Sequence, residues 1–224
     1  SAVHWEQAAE RSRMAQPDNA KETIMTEPID PRPVFAAASA WVADLMQNVT
    51  DDMLTRPTPC AEFDVKTLCA HLIATAQRAA GLADGIDILT INPIADTWHV
   101  ADYTATVRRT LDLWSDDQKL TETVVVPWGT VPGAGALWGY VNEALVHGWD
   151  LAVTTGQDPE ADPAIVAPAL AVAQLFIPAE IREIPGVPFA PVVPPREEAG
   201  LTEQLANWTG RQSRSGVLQS GIVS

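Results

Sequence analysis

Two ionisable side chains stand one helical turn apart in an otherwise apolar stretch, VNEALVHGWD, residues 141–150. Glu143 and His147 are four positions apart, so in a helix both project from one face, and Asp150 follows on the same stripe. A carboxylate and an imidazole presented in this way supply two of the three protein ligands of an open, zinc-like site, whose remaining position takes water or substrate. The pair therefore indicates metal-dependent chemistry, provided that a third ligand comes from elsewhere.

The third ligand has one well-placed candidate among the four histidines. His4 lies in a doubtful N-terminal stretch and His99 in an irregular segment, whereas His71 lies on the apolar face of another predicted helix. The resulting hypothesis is a metal ion held by His71, Glu143 and His147.

Two simpler interpretations remain open at this point. A Glu and a His at this spacing also form surface pairs worth a few tenths of a kcal/mol, and His71 could be a core histidine with satisfied hydrogen bonds. The neighbours of Glu143 disfavour a solvated pair, because they leave the helix no wide polar side: Val141, Ala144, Leu145, Val146 and Trp149. Burying the carboxylate and the imidazole without a partner would be costly.

Two more residues are placed to line the same pocket. Arg78 follows His71 by two helical turns, and Tyr140 precedes His147 by two turns. Arg78 is a candidate for binding an anionic substrate, although a solvated arginine is the commoner case. We predict that Arg78, Tyr140 and Asp150 form the catalytic set around the ion.

The helices that position these residues follow from apolar residues recurring every three or four positions. Asp64 has the side chain of a good N-cap, and Gly85 and Gly156 are expected stops. The predicted bounds, in chain order, are Val34 to Thr50, Asp64 to Gly85, residues 101–114 and Ala136 to Gly156.

The remaining elements are shorter. ETVVVPWGTVPGAG combines β-branched residues with Pro-Gly punctuation and predicts a short strand or hairpin. Asp162 and Pro163 look like the N-cap and first position of a fifth helix. The proline-rich REIPGVPFAPVVPP is expected to lie extended over the surface, before a short helix capped by Thr202 and ended by Gly210. Long helices with little strand predict an all-α bundle, whose facing helices are a usual place for a metal site.

Composition narrows the classes of function. The formal net charge of −15 repels phosphate backbones and anionic membranes, and no basic patch offsets it, so neither nucleic acid nor membrane is expected as a partner. Hydrophobic residues at 46% and charged residues at 19% are typical of a globular chain. Cys60 and Cys69 cannot form a disulfide framework, and no signal peptide is visible, so we expect a reducing cytoplasm.

Two separated motifs are similar to a known family. RPTPCAEFDVKTLCAHL, followed by NEALVHGWDLAVTTGQ, resembles the mycothiol-dependent maleylpyruvate isomerase N-terminal domain family, among the DinB-like bundles of actinobacteria. FAPVVPP followed by LTEQLANWTGR resembles the family's tail. The resemblance implies a four-helix bundle with a divalent metal, usually zinc, on a histidine after PTPC and on the later Glu and His. These positions match His71, Glu143 and His147. Asp150 is then expected to support the ligands or cap a helix rather than to bind the ion.

The resemblance also implies a thiol-handling site. The family's isomerase has an additional C-terminal domain that is not represented here, so the general expectation is activation of a thiol such as mycothiol on zinc, for transfer to or isomerisation of a small electrophile. Two alternatives remain: a thiol-independent metal hydrolase, and a non-catalytic scaffold or binding bundle held together by the ion. Nickel, iron or manganese could replace zinc, and both a monomer and a homodimer fit the sequence.

The chain is expected to divide into three parts. Residues 1–33 are expected to be an N-terminal extension or an artificial remnant, with Met25 a plausible natural start. Residues 34–183 are expected to form the metal-binding bundle, and residues 184–224 a proline-rich tail with a short helix.

Overall fold

The computed structural model describes residues 29–127, 129–183 and 190–213, and most of these residues are helical. Its helices and strands, in chain order, are α1 (Pro31–Gln47), α2 (Val65–Ala83), α3 (Val100–Leu113), α4 (Asp117–Thr121), β1 (Thr123–Val126), β2 (Gly129–Pro132), α5 (Gly133–Thr155), α6 (Pro163–Phe176) and α7 (Leu201–Trp208). Short 3₁₀ turns occur at Asp51–Met53, Ile88–Thr90 and Ala179–Glu183.

Helices α1, α2, α3 and α5 close into a ring. Helix α1 packs against α3 and α5, and α2 packs against the same two helices. Helix α5 also contacts α6, α7 and the β-hairpin, so it is covered on nearly every side. This position explains its apolar sequence. The fully buried core residues come from all four helices and include Val42, Leu68, Ile73, Thr110, Leu137 and Leu145.

Helix ends follow local chemistry that periodicity does not report. Helix α1 begins before the predicted Val34, because the Asp30 side chain accepts a hydrogen bond from the Arg32 amide at 2.9 Å and Pro31 suits the first turn. The predicted cap at Asp64 is confirmed by its bond to the Thr67 amide at 2.8 Å. Gly156 ends α5 in a left-handed conformation, with φ of 75°.

The short C-terminal helix is present, but its predicted cap is wrong. Gly200 is the N-cap residue, and Thr202 lies inside α7, where its hydroxyl accepts a hydrogen bond from the Ala161 amide at 3.0 Å. The cap comes from a distant residue: the Glu160 carboxylate accepts from the Thr202 amide at 2.9 Å and the Glu203 amide at 3.2 Å. A window of neighbouring residues cannot reveal a cap from so far along the chain.

The predicted fold class is confirmed: an all-α bundle with a hairpin insertion and a C-terminal tail. The hairpin pairs β1 antiparallel to β2. Within the described residues, no helix combines the length and apolar character needed to cross a bilayer. Residues 1–28, including Met25, lie outside the described part, and the domain boundary at residue 184 stays a prediction.

Gly148, beside His147, lies against the Trp41 ring of α1. A methyl group at Gly148 would overlap the Trp41 ring, whereas one at Gly135 would meet Val131 at an ordinary 3.7 Å. We expect Gly148→Ala to destabilise the protein, because overpacking costs about 1–3 kcal/mol and outweighs about 1 kcal/mol of helix propensity. Urea unfolding measures the difference. Gly135→Ala is the matched control and should be neutral or stabilising; equal stability changes in both variants would contradict the packing argument.

Candidate metal centre

Adjacent helices bring the three predicted ligands together. His71 projects from α2, and Glu143 and His147 project from α5. One oxygen of Glu143, Oε2, lies 3.6 Å from His71 Nε2 and 3.3 Å from His147 Nε2. The carboxylate thus stands between two imidazoles whose ring centroids are 4.9 Å apart. A third of the Glu143 side chain is exposed, so the cluster is reachable from solvent.

A backbone carbonyl orients the His71 ring. Its Nδ1 lies 2.8 Å from the Pro93 oxygen. Since a carbonyl only accepts hydrogen bonds, Nδ1 carries the hydrogen and Nε2 is left to face Glu143. The Asn92 side chain accepts a bond from the Ile94 amide at 3.0 Å and so fixes the turn that presents this carbonyl.

A buried carboxylate orients the His147 ring. Asp150 Oδ2 accepts a hydrogen bond from His147 Nδ1 at 3.0 Å, and the Asp150 side chain has no solvent exposure. Arg211, just beyond α7, donates to the same carboxylate: Nη2 to Oδ2 at 2.9 Å and Nε to Oδ1 at 3.2 Å. Asp150 is therefore directed away from the three-ligand cluster, with both oxygens engaged.

Burial and hydrogen bonding oppose each other at these groups. Burial favours a lower pKa for His147, but the hydrogen bonds to Asp150 and Glu143 outweigh it and raise the pKa to about 9. Burial favours a higher pKa for Glu143, but its interactions with the His147 and His71 imidazoles hold the pKa well below the usual range. The pKa of Asp150 is lowered against burial by His147 and Arg211. Both carboxylates are thus ionised at neutral pH.

The donor set fits a divalent ion. Three ligand atoms, one from each of His71, Glu143 and His147, lie within 4.8 Å of one another. Tetrahedral ligands at the usual zinc distances of about 2.0–2.1 Å are about 3.3–3.5 Å apart, close to the 3.3 and 3.6 Å from Glu143 Oε2 to the two imidazoles. Both Nδ1 atoms are held by oxygen acceptors, the usual arrangement for metal-binding histidines. Three protein ligands leave a position open.

The PTPC loop forms one wall of the cluster. Thr58 Oγ1 donates to the Phe63 oxygen at 2.8 Å, and the Phe63 amide donates to the Cys60 oxygen at 2.9 Å, which makes the loop compact. The Phe63 ring centroid lies 4.9 Å from that of His71. Burial raises the pKa of the half-buried Cys60 thiol, so this cysteine is a neutral thiol rather than a nucleophile.

Arg78 and Tyr140 lie on α2 and α5, the two helices that carry the candidate ligands. The Arg78 guanidinium donates to the Ile91 oxygen through Nη2 at 2.7 Å and Nε at 3.2 Å. Burial raises the pKa of Tyr140, and the charges of Arg78 and Glu143 act on the same hydroxyl. The charges of Arg78 and Glu143 are thus both close enough to influence the Tyr140 hydroxyl. The catalytic roles of Arg78, Tyr140 and Asp150 stay predictions.

Sequence reasoning missed two residues that support the ligands, Arg211 and Pro93. Arg211 is 61 residues from Asp150, and nothing local pairs the two. Pro93 acts through its backbone, which no side-chain pattern reports. The one available signal was the tail motif LTEQLANWTGR, which ends on this arginine.

The ring of helices defines a helical-bundle protein. Two imidazoles and a carboxylate converge from adjacent helices and form an open candidate metal site. The family model described as mycothiol maleylpyruvate isomerase N-terminal domain matches residues 35–152, and the chain belongs to this family. The predicted family is thereby confirmed.

Relatives extend the similarity beyond the length that the family model matches. Proteins of Mycobacterium tuberculosis strains CDC 1551 / Oshkosh and ATCC 25618 / H37Rv, both named "Uncharacterized protein", are 30% identical over 187 residues. The alignments cover 83% of this chain and 100% of each relative. No solved structure gives a significant match.

Metal content tests the cluster directly. We expect about one divalent ion per chain after reconstitution, because three protein ligands complete a binding site. His71→Ala and Glu143→Ala should each lose it, as measured by mass spectrometry on protein without an affinity tag. His99→Ala removes an exposed histidine outside the cluster and is the matched control. Retention of the ion in both ligand variants would contradict the assignment.

Metal affinity should depend on pH. His147, with a pKa of about 9 in the metal-free protein, carries a proton at neutral pH, and this proton must leave before Nε2 can bind an ion. The affinity should therefore rise with pH, by about tenfold between about pH 7 and pH 8 for one displaced proton. Competition with a chelator of known pKa values measures it. An affinity that is constant over this range would contradict the protonation of His147.

Proposed function

We propose that this protein is a metal-dependent enzyme that activates a low-molecular-weight thiol, such as mycothiol, for transfer to, or isomerisation of, a small electrophile. The observation that carries the proposal is the cluster of three ligand atoms, in which the Glu143 side chain is partly exposed to solvent. Three protein ligands would leave a tetrahedral ion one further position. Membership of the mycothiol maleylpyruvate isomerase N-terminal domain family supports a thiol as the occupant of that position.

The donor set suits zinc, which accepts nitrogen and oxygen ligands in a tetrahedral arrangement. A bound zinc ion lowers the pKa of a coordinating thiol, so that the thiolate is present at neutral pH. The chain contributes the geometry: Pro93 and Asp150 hold the two imidazoles, and Phe63 walls one side of the cluster. These contacts leave little freedom for the ligands to rearrange.

The charges of the site favour an anionic ligand. Glu143 and Asp150 contribute two negative charges, and Arg211 contributes one positive charge. With neutral histidines and a divalent ion, one net positive charge remains, which a thiolate would neutralise. Arg78 adds a further positive charge beside Tyr140.

Arg78 is therefore proposed to bind an anionic group of the substrate. It follows His71 by two turns of α2, about 10 Å along the helix, so a small carboxylate could reach it while its electrophilic carbon lies near the sulfur. The sulfur electron pair would form the bond to carbon, and the displaced electron pair would move to a conjugated carbonyl oxygen. Tyr140 keeps its proton because burial raises its pKa, and it can donate a hydrogen bond to a substrate oxygen.

Two alternative functions, a scaffold with a structural ion and a thiol-independent hydrolase, would use the same residues differently. A structural ion usually has four protein ligands, and the engagement of both Asp150 oxygens by His147 and Arg211 counts against Asp150 as the fourth. A hydrolase would use the same three ligands with water in the open position. Thiol dependence separates the hydrolase from the proposed enzyme.

The test is a reaction of the zinc-loaded protein with mycothiol and a series of small electrophiles with and without a carboxylate. Turnover should require both thiol and metal. Arg78→Met should raise KM for the carboxylate-bearing electrophile by tenfold or more, since a lost charged hydrogen bond costs about 1.5–3 kcal/mol. Its effect on uncharged electrophiles should be small.

Arg109→Met is the matched control, because Arg109 forms an exposed ion pair with Asp84 on another part of the bundle. Turnover without any thiol would favour the hydrolase. Metal binding without turnover across the series would favour the scaffold. Equal KM changes in the Arg78 and Arg109 variants would remove Arg78 from the substrate site.

A further inference from the structure

Arg211 connects the C-terminal segment to the metal centre. The residue follows α7 and reaches back to α5, where three hydrogen bonds of 2.9, 3.2 and 3.3 Å join its guanidinium to Asp150. Both members of the pair are shielded, with side-chain exposures of 20% for Arg211 and 0% for Asp150. The next bond along is that from His147 Nδ1 to Asp150. A continuous path of hydrogen bonds therefore runs from the tail to a candidate ligand.

The tail has other anchors that do not involve Arg211. Leu205 and Ala206 are fully buried. Glu160 caps α7 through two amides, and the Trp208 indole donates to the Ile177 oxygen at 3.1 Å. Helix α7 is therefore fixed to α5 and α6 by packing and capping, and removal of the Arg211 side chain leaves these contacts in place.

Arg211 constrains the orientation of Asp150. Its Nε and Nη2 contact both carboxylate oxygens, which fixes the plane of the carboxylate. Asp150 in turn holds the His147 ring through Oδ2. Without the guanidinium, the carboxylate could rotate about its last side-chain bond, and the ring it holds would lose its fixed direction.

We propose that Arg211 is a positioning residue of the metal centre, and that the C-terminal segment completes that centre by holding Asp150, and through it His147, in the geometry that binds the ion. The inference rests on the metal site of the proposed function. It makes the segment from Leu201 to Arg211 part of the functional unit, although it contributes no ligand.

The test compares metal affinity in wild type, Arg211→Met and Arg211→Lys by competition of Zn²⁺ and Co²⁺ with a chelator. Residues that support metal ligands typically change affinity by about 10–100-fold, and we expect a loss of about tenfold or more for Arg211→Met. Lysine restores the charge but cannot contact both oxygens in one plane, so the rescue should be partial. The Co²⁺ absorption spectrum, which reports coordination geometry, should change in Arg211→Met.

Arg196→Met is the matched control. Arg196 also pairs with a shielded carboxylate of the tail, Glu203, at 2.7 Å, but it has no contact with the metal centre. The variant should keep the wild-type affinity and Co²⁺ spectrum. Equal losses of metal affinity in the Arg196 and Arg211 variants would show that any disturbance of the tail weakens metal binding, and would overturn the proposal.

A double variant covers the case in which Arg211→Met fails to fold, since it leaves the Asp150 charge buried and unpaired. Asp150→Asn combined with Arg211→Met removes both charges. If Arg211 acts through Asp150, the double variant should bind metal as weakly as Asp150→Asn alone. If the loss of metal affinity in the double variant is instead the product of the losses in the two single variants, the proposal is overturned. A wild-type protein that binds no ion would overturn the proposed function as well, whereas wild-type binding unaffected by Arg211→Met would overturn this inference alone.

Discussion

The arrangement of the candidate site depends on keeping the Asp150 carboxylate charged in a position without solvent. An unpaired buried carboxylate is strongly destabilising, so the surrounding helices must provide partners. They do so from two directions: His147 from the preceding turn of α5, and Arg211 from the segment that follows α7. The position of the Arg211 side chain against α5 and the orientation of the His147 ring both meet this one requirement.

The same requirement makes the candidate site rigid. A path of polar contacts joins α2, α5 and the residues after α7. It runs through Arg211, Asp150, His147, Glu143 and His71 and ends on the Pro93 carbonyl. Hydrogen bonds fix Asp150 and both imidazole rings, so that the two Nε2 atoms face one carboxylate oxygen of Glu143. Removal of one partner would affect groups several bonds away, because buried polar networks are coupled.

The sequence supported the parts of this arrangement that depend on local spacing. Glu143 and His147 share a helix face because four residues make about one turn, and the Asp64 cap and the Gly156 stop are local signals that the structure confirms. His71 was found because it stands on an apolar helix face, although spacing within α2 alone could not show that α5 packs beside it.

The parts that sequence could not predict depend on distant or backbone partners. The Glu160 carboxylate caps α7. The Pro93 carbonyl orients the His71 ring, and Arg211 orients the Asp150 carboxylate. None of these partners lies within the window over which periodicity and capping rules operate. Their positions are fixed only when the ring of helices closes and brings distant segments together.

Charge balance explains how such a site can exist before it binds an ion. In the metal-free protein, the raised pKa of His147 keeps a proton on the ring between Asp150 and Glu143, and this proton offsets a negative charge that would otherwise be unpaired. An arriving divalent ion replaces the proton. Small zinc domains fold only when metal binds, but here hydrogen bonds already hold the ligands within a bundle that has its own apolar core. Metal binding is then expected to change the charge and reactivity of a preformed site, and not the fold itself.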